Sequence, residues 1–165
     1  MNPDTTQHTD KLQKHWRICL YGTLCILPLS VILNYYGLYT DKFYFFKIDN
    51  YILPVLVILH LIYLYAIHFK LRENEYPDAP LRNVEFGMYA LLAIYLFKAL
   101  DTFWILITSG QYSEVLIPGA FFPMGIFIIL LQLTLVAFTC YTFFIRKTLI
   151  GSFDIDFNEN VDSFS

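Results

Sequence analysis

The stretch FGMYALLAIYLFKALDTFWILIT, residues 86–108, holds only two charged side chains, Lys98 and Asp101, among its 23 residues. At a rise of about 1.5 Å per residue, a helix of this length spans about 35 Å, which exceeds the hydrocarbon core of a bilayer, about 30 Å thick. Backbone N–H and C=O groups in lipid need partners within their own segment. We therefore predict a transmembrane helix here.

Three further apolar runs of comparable length lie near 16–36, 51–69 and 120–145. The alternating segments of about ten residues that are typical of a membrane β-barrel are absent from the sequence. We therefore predict an all-α integral membrane protein, a bundle of four transmembrane helices with no sizeable soluble domain. In this scheme, a polar N-terminal segment (1–15) precedes the transmembrane domain (16–146). An acidic tail (147–165), which we expect to be flexible, follows it.

Local signals predict where the last two helices begin. Pro118 and Pro123 crowd the start of the fourth run, which favours a turn there and a regular helix from about residue 121. Asn83 is a good N-cap residue for the third helix. Glu85 would then lie in its first turn, where the helix dipole favours an acid.

Composition excludes several classes of protein. The chain is 57 % hydrophobic with a mean hydropathy of +0.52. Only 15 % of its residues are charged, against about 25 % in ordinary soluble domains. No basic surface with interleaved aromatics suggests nucleic-acid binding. No catalytic motif occurs, so the sequence leans against an enzyme.

No metal site or cofactor is predicted. The three cysteines lie inside apolar runs without C-x-x-C spacing, and we interpret them as small hydrophobic residues. His15 and His68 lie near the same ends of the first two spans, so ligation of a haem iron is a weaker alternative.

The basic residues between the spans predict an orientation. Eight flank one side and two flank the other. By the positive-inside rule we therefore expect both termini to be cytoplasmic, in a plasma or inner membrane. The larger set is Lys11, Lys14, Arg17, Lys70, Arg72, Arg82, Arg146 and Lys147, and the smaller set is Lys42 and Lys47.

Polar side chains near the middle of three spans form the candidate site. His60 is central in the second span, Lys98 and Asp101 in the third, and Gln132 in the fourth. Thr102 shares the helix face of Lys98 and Asp101 at about 100° per residue. A charge at the bilayer centre costs about 2.5–3.5 kcal/mol, so we expect this cluster to face inward, with Lys98 and Asp101 paired.

This cluster has several possible roles, which the sequence leaves open. A buried ion pair can serve only to fix helix register. Lys98 or Asp101 can instead pair with a charge on another protein's helix. A proton or ion path through His60 and Asp101 is a further reading, and membrane-embedded catalysis is the weakest.

The loop GLYTDKFYFFKIDN, residues 37–50, is dense in aromatic side chains. The structural interpretation is an aromatic belt at the membrane interface. The functional interpretation is a surface that docks a partner or a lipid. The residues concerned are Tyr39, Phe43, Tyr44, Phe45 and Phe46.

Three classes of function remain, and we favour the first. It is an accessory or scaffold subunit of a larger membrane complex, or a self-associating membrane component. The second is a small oligomeric channel or a proton- or ion-coupled transporter that uses the polar cluster. The third is a membrane-embedded enzyme or a lipid-binding protein. The predicted partners are the lipid bilayer and other membrane subunits or further copies of the chain.

Overall fold

The computed structural model describes residues 3–111 and 117–153, with side chains from 11 to 110 and from 117 to 153. This part contains four long helices. They are α1 (Pro3–Asn34), α2 (Ile52–Glu73), α3 (Ala79–Thr108) and α4 (Phe121–Leu149). Each is long and apolar enough to cross a membrane, so the chain is a multi-pass integral membrane protein. The predicted all-helical architecture is confirmed, while most of the predicted tail lies outside the described residues.

The helices pack around α4, which contacts both α1 and α3, while α2 packs mainly against α3. The core that they share includes Leu27, Tyr63, Ile67 and Met88, which are almost fully buried. Many large apolar side chains point outward instead, as expected where a helix faces lipid rather than water.

Two glycines mark where the helices approach most closely. A Cβ atom on Gly22 of α1 would lie 2.4 Å from the ring of Phe138 in α4. A Cβ atom on Gly125 would lie 2.4 Å from the end of the Leu106 side chain. Small residues at membrane helix contacts allow this approach, and dispersion contacts between the helices follow from it.

The helix starts agree with the sequence signals at α4 but not at α3. The α4 helix begins at Phe121, after the turn that the prolines predict. The α3 helix is capped by Asp78, whose carboxylate accepts from the Leu81 N–H at 3.0 Å. The Asn83 cap was therefore wrong. Pro80 lies in the first turn after Asp78, where proline favours a helix start, and Glu85 consequently lies more than a turn deeper. Lys70 also pairs with Asp78, at 2.7 Å.

The loop between α1 and α2 folds into a small antiparallel hairpin. Its strands are β1 (Tyr36–Gly37) and β2 (Lys42–Phe43), with Tyr36 opposite Phe43. Asp41 takes the left-handed backbone that closes the turn, with φ 51°, and its carboxylate accepts from the Tyr36 hydroxyl at 2.5 Å. We call this side of the bundle the hairpin end. The side with the start of α1, the α2–α3 connection and the end of α4 is the terminal end.

Candidate functional site

A cavity lies among the four helices in the half of the bundle nearer the hairpin end. Its volume is about 40 Å³, enough for water or a small ion. Most of its wall is aliphatic, from residues such as Leu33, Val57 and Leu131. The polar side chains in the wall are Ser30, Asn34, Tyr95, Lys98 and Gln132.

Lys98 reaches this cavity from α3 and bonds to the end of α1. Its Nζ donates to Asn34 Oδ1 at 2.8 Å, and Asn34 Nδ2 donates in turn to the Asn50 carbonyl at 2.7 Å. No carboxylate within residues 11–110 or 117–153 forms an ion pair with Lys98. The Lys98 ammonium is therefore hydrogen-bonded to a neutral amide, and the Asp101 carboxylate attracts it without direct contact.

The predicted pairing of Lys98 with Asp101 was therefore wrong. Asp101 is exposed on the outward surface of α3, and it has no hydrogen bond or ion pair to any described residue. The two side chains point about 60° apart around the helix axis. Lys98 lies on the side of α3 that packs against other helices, and Asp101 lies just outside it. Thr102 is buried and donates to the Lys98 carbonyl at 3.0 Å, so it supports the backbone rather than the ammonium.

Gln132 and His60 both lie close to Lys98, but in different ways. Gln132 lines the same cavity from α4, and its Oε1 atom is buried without a partner in the described part of the chain. His60 is fully buried beside the cavity, and its Nδ1 shares a 3.1 Å hydrogen bond with the Tyr95 hydroxyl. Of the predicted residues, the structure thus brings Lys98 and Gln132 into one cavity wall. His60 is linked to that wall through Tyr95, Thr102 bonds the backbone of Lys98, and Asp101 is exposed.

The site predicted from the sequence did not include Tyr95, nor two polar residues of α1 in the cavity wall, Ser30 and Asn34. Ser30 Oγ is buried and has no hydrogen-bond partner among the described groups. Both lie on α1 four residues apart, so they share one helix face. That spacing was a usable signal, since few other polar side chains occur in this half of α1.

A second polar cluster, near the terminal end, was also missed. Arg146 Nη2 of α4 donates to Glu85 Oε1 of α3, and both side chains are buried. The Tyr63 hydroxyl donates to Glu85 Oε2 at 2.7 Å, and the Tyr89 hydroxyl to Oε1 at 2.9 Å. We call these four residues the arginine–glutamate network. It ties α2, α3 and α4 together.

The same arginine holds the segment that follows α4. Its Nη1 donates to the Gly151 carbonyl at 2.9 Å, and its guanidinium lies 4.2 Å from the centre of the Phe153 ring. Gly151 adopts φ +108°, a conformation that favours glycine, so the chain turns back over Arg146. The start of the predicted tail is therefore packed against the bundle as far as Phe153.

The aromatic loop residues form the surface of the hairpin. Phe46 is fully exposed at 102 % of its reference area, and Phe43 and Phe45 stack with ring centres 5.8 Å apart. Tyr44 is exposed as well, whereas the Tyr39 ring packs 5.1 Å from that of Phe121. Four of the five predicted residues thus present their rings at the hairpin end.

The two histidines at the terminal end, His15 and His68, have different surroundings. His15 shares a 2.9 Å hydrogen bond with the Tyr141 hydroxyl, and His68 is exposed on α2. Within the described residues, no group of three or more His, Cys, Asp or Glu side chains could hold a metal ion. The chain matches no protein-family model, no curated protein and no solved structure.

Proposed function

We propose that this chain is a self-associating subunit of a membrane assembly, and that a second copy binds the outward face of α3. The observation that carries the proposal is the exposed carboxylate of Asp101 on a surface that faces lipid. Asp101 lies only about 6 Å from the centre of the apolar run 86–108, at 1.5 Å per residue.

An environment of lipid alone is energetically unfavourable for this carboxylate. A charged side chain near the bilayer centre costs about 2.5–3.5 kcal/mol unless it finds a partner. Asp101 has no hydrogen bond or direct ion pair among the described residues, and Lys98 attracts it without direct contact. A second protein surface that supplies a hydrogen-bond donor at this depth would remove most of that cost.

The same face offers such a donor. Trp104 is 64 % exposed, and its indole N–H has no partner in the described part of the chain. It lies one turn from Asp101, about 4.5 Å along the helix axis. In a two-fold pair of parallel α3 helices, each Trp104 can donate to Asp101 of the other copy. The face is thus complementary to itself, as a two-fold interface requires.

The shape of the α3 surface supports this choice. Ala90 and Ala93 are exposed on α3 toward its terminal end, and small residues let two membrane helices come close. Phe97 and Leu100, with 71 % and 65 % of their areas exposed, supply apolar contact area around Asp101. In the same proposal, the terminal end faces the cytoplasm, as the distribution of basic residues favours.

Cysteine cross-linking in native membranes tests the proposal. The exposed cysteines, Cys25 and Cys140, are first replaced by alanine, and Leu100→Cys is introduced on the α3 face. Mild oxidation should yield a covalent dimer. Adding Asp101→Leu should strongly reduce it, because the partner indole then loses its acceptor.

The matched control is Ile58→Cys, at similar depth on the outward side of α2, where 56 % of the side chain is exposed. It should cross-link much less than Leu100→Cys. Equal cross-linking at both positions, or a monomer in lipid nanodiscs, would overturn self-association through α3. A cross-link from Leu100→Cys to a different protein would replace the second copy with another subunit.

A further inference from the structure

We propose that the cavity lined by Lys98 is a binding site for a small monovalent anion. This inference rests on the interior of the bundle and is independent of the outward face of α3. Lys98 is half-buried among aliphatic side chains and has no carboxylate partner in the described residues. The Asp101 carboxylate acts on this ammonium without direct contact. A buried ammonium without a direct counter-charge is costly, and an anion in the cavity would neutralise it.

The groups around the cavity can donate several hydrogen bonds to one guest. An ammonium has three N–H donors, and Lys98 uses one of them on Asn34. The Ser30 hydroxyl is more than nine-tenths buried and unpartnered within the described chain. The Gln132 amide has an unpartnered oxygen in the wall, and rotating the amide by 180° presents its NH₂ group instead.

Size and charge limit the class of guest. About 40 Å³ admits a halide or the head of a carboxylate, and the remaining wall is apolar. One lysine neutralises one negative charge, so a divalent oxyanion would leave an uncompensated charge in a medium of low dielectric constant. The shared chemistry is therefore a monovalent anion, either free or carried at the end of a fatty acid.

A second cavity lies next to the first one, on the side of the hairpin end. This wider cavity of about 310 Å³ opens between the hairpin and the start of α2, and its wall includes Lys47. Asn34 belongs to the walls of both cavities. In this proposal an anion reaches Lys98 from this side, past Asn34, and Lys47, which pairs with Asp49 at 3.8 Å, is the basic residue of the outer wall.

The test is thermal unfolding of the full chain in nanodiscs of zwitterionic lipid. Sodium chloride is titrated against sodium gluconate at constant ionic strength, and laurate is added in a parallel series. Binding to the folded state should raise Tm saturably by a few degrees. A response to chloride assigns a free anion, and a response to laurate alone assigns a lipid-borne carboxylate.

Three variants make the result specific. Lys98→Met should abolish the shift, while Lys42→Met, a change to an exposed lysine of the hairpin, should retain it. Ser30→Ala removes an unpartnered hydroxyl, so the fold should survive while the apparent Kd rises about threefold to tenfold. The absence of any saturable shift, or a shift that persists in Lys98→Met, would overturn the site. If Lys98→Met fails to fold, an unchanged Kd in Ser30→Ala would do the same.

Discussion

Glu85 of α3 and Arg146 of α4 form an ion pair whose side chains keep only 3 % and 6 % of their exposed area. Both carboxylate oxygens accept further hydrogen bonds, from Tyr63 and Tyr89. A buried ion pair offsets its desolvation only when such additional bonds are made. The arginine–glutamate network meets that condition at the carboxylate.

The first prediction concerns the loss of one partner of this network. Glu85→Ala should lower the free energy of unfolding by about 3–5 kcal/mol, because it leaves the Arg146 guanidinium buried without its counter-charge. The double change Glu85→Leu with Arg146→Met should recover part of that loss. Equilibrium unfolding in mixed micelles measures both values.

The control for the first prediction is an exposed pair in the same chain. Lys47 and Asp49 lie 3.8 Å apart with 63 % and 75 % of their side chains exposed. Asp49→Ala should therefore change the unfolding free energy by about 0.5 kcal/mol or less. If Glu85→Ala lowered the free energy of unfolding no more than Asp49→Ala, the arginine–glutamate network would not stabilise the bundle.

The second prediction separates the observed partner of Lys98 from the one that the sequence favoured. In a double-mutant cycle, Lys98→Met and Asn34→Leu should be coupled by about 0.5–3 kcal/mol, because they share a hydrogen bond. The cycle of Lys98→Met with Asp101→Leu should show a smaller coupling of about 0.2–0.5 kcal/mol, because the two charges are neighbours on one helix without a direct ion pair. A larger coupling in the second cycle than in the first would reverse the assignment.

The third prediction is a dependence on pH at the start of α3. Burial raises the pKa of the Asp78 carboxyl. Hydrogen bonds from Lys70 and the Leu81 N–H lower it by more, so its net pKa lies below the ordinary 3.8. A carboxyl with a depressed folded pKa contributes stability above its unfolded pKa and loses it as the pH falls through the folded value.

Comparison with Asp78→Asn isolates that charge, because asparagine is also a good N-cap. The difference in Tm between the wild type and Asp78→Asn should be constant above about pH 5 and shrink below about pH 4. Asp78→Ala should cost about 1 kcal/mol in addition, through loss of the cap. A Tm difference that grows on acidification would have the wrong sign for this account.

The fourth prediction concerns the contact between α1 and α4. Gly22→Ala should destabilise the bundle by about 1–3 kcal/mol, because its Cβ would lie 2.4 Å from the Phe138 ring. Phe138→Leu should relieve part of this cost when the two changes are combined. Gly119→Ala is the control, since nothing lies within 4 Å of a Cβ there, and it should be near neutral.

The four helices could be predicted because each crossing depends on the hydropathy of its own residues. The start of α4 at Phe121 follows from local proline chemistry in the same way. The hydrogen-bond partner of Lys98 could not be predicted. Helical periodicity gives the angle between two side chains on one helix, but it does not show which part of the helix surface the neighbouring helices cover. An offset of about 60° was enough to separate Lys98 from Asp101.

The arginine–glutamate network could not be predicted from the sequence, for a different reason. Glu85 and Arg146 lie near the ends of their predicted spans, where charged residues are common. Glu85 suits the first turn of a helix. Arg146 suits the basic flank that orients a span in the membrane. Nothing in a single sequence links two residues on different helices. Their burial depends on α3 starting at Ala79, which places Glu85 about 9 Å along the helix axis.

The distance along the chain between the members of this network sets an order of events in biogenesis. Arg146 follows Glu85 by 61 residues, so α3 is synthesised before the residue that neutralises its carboxylate. Until then, Glu85 must stay near the membrane surface or carry a proton. Completion of the last helix is what closes the bundle.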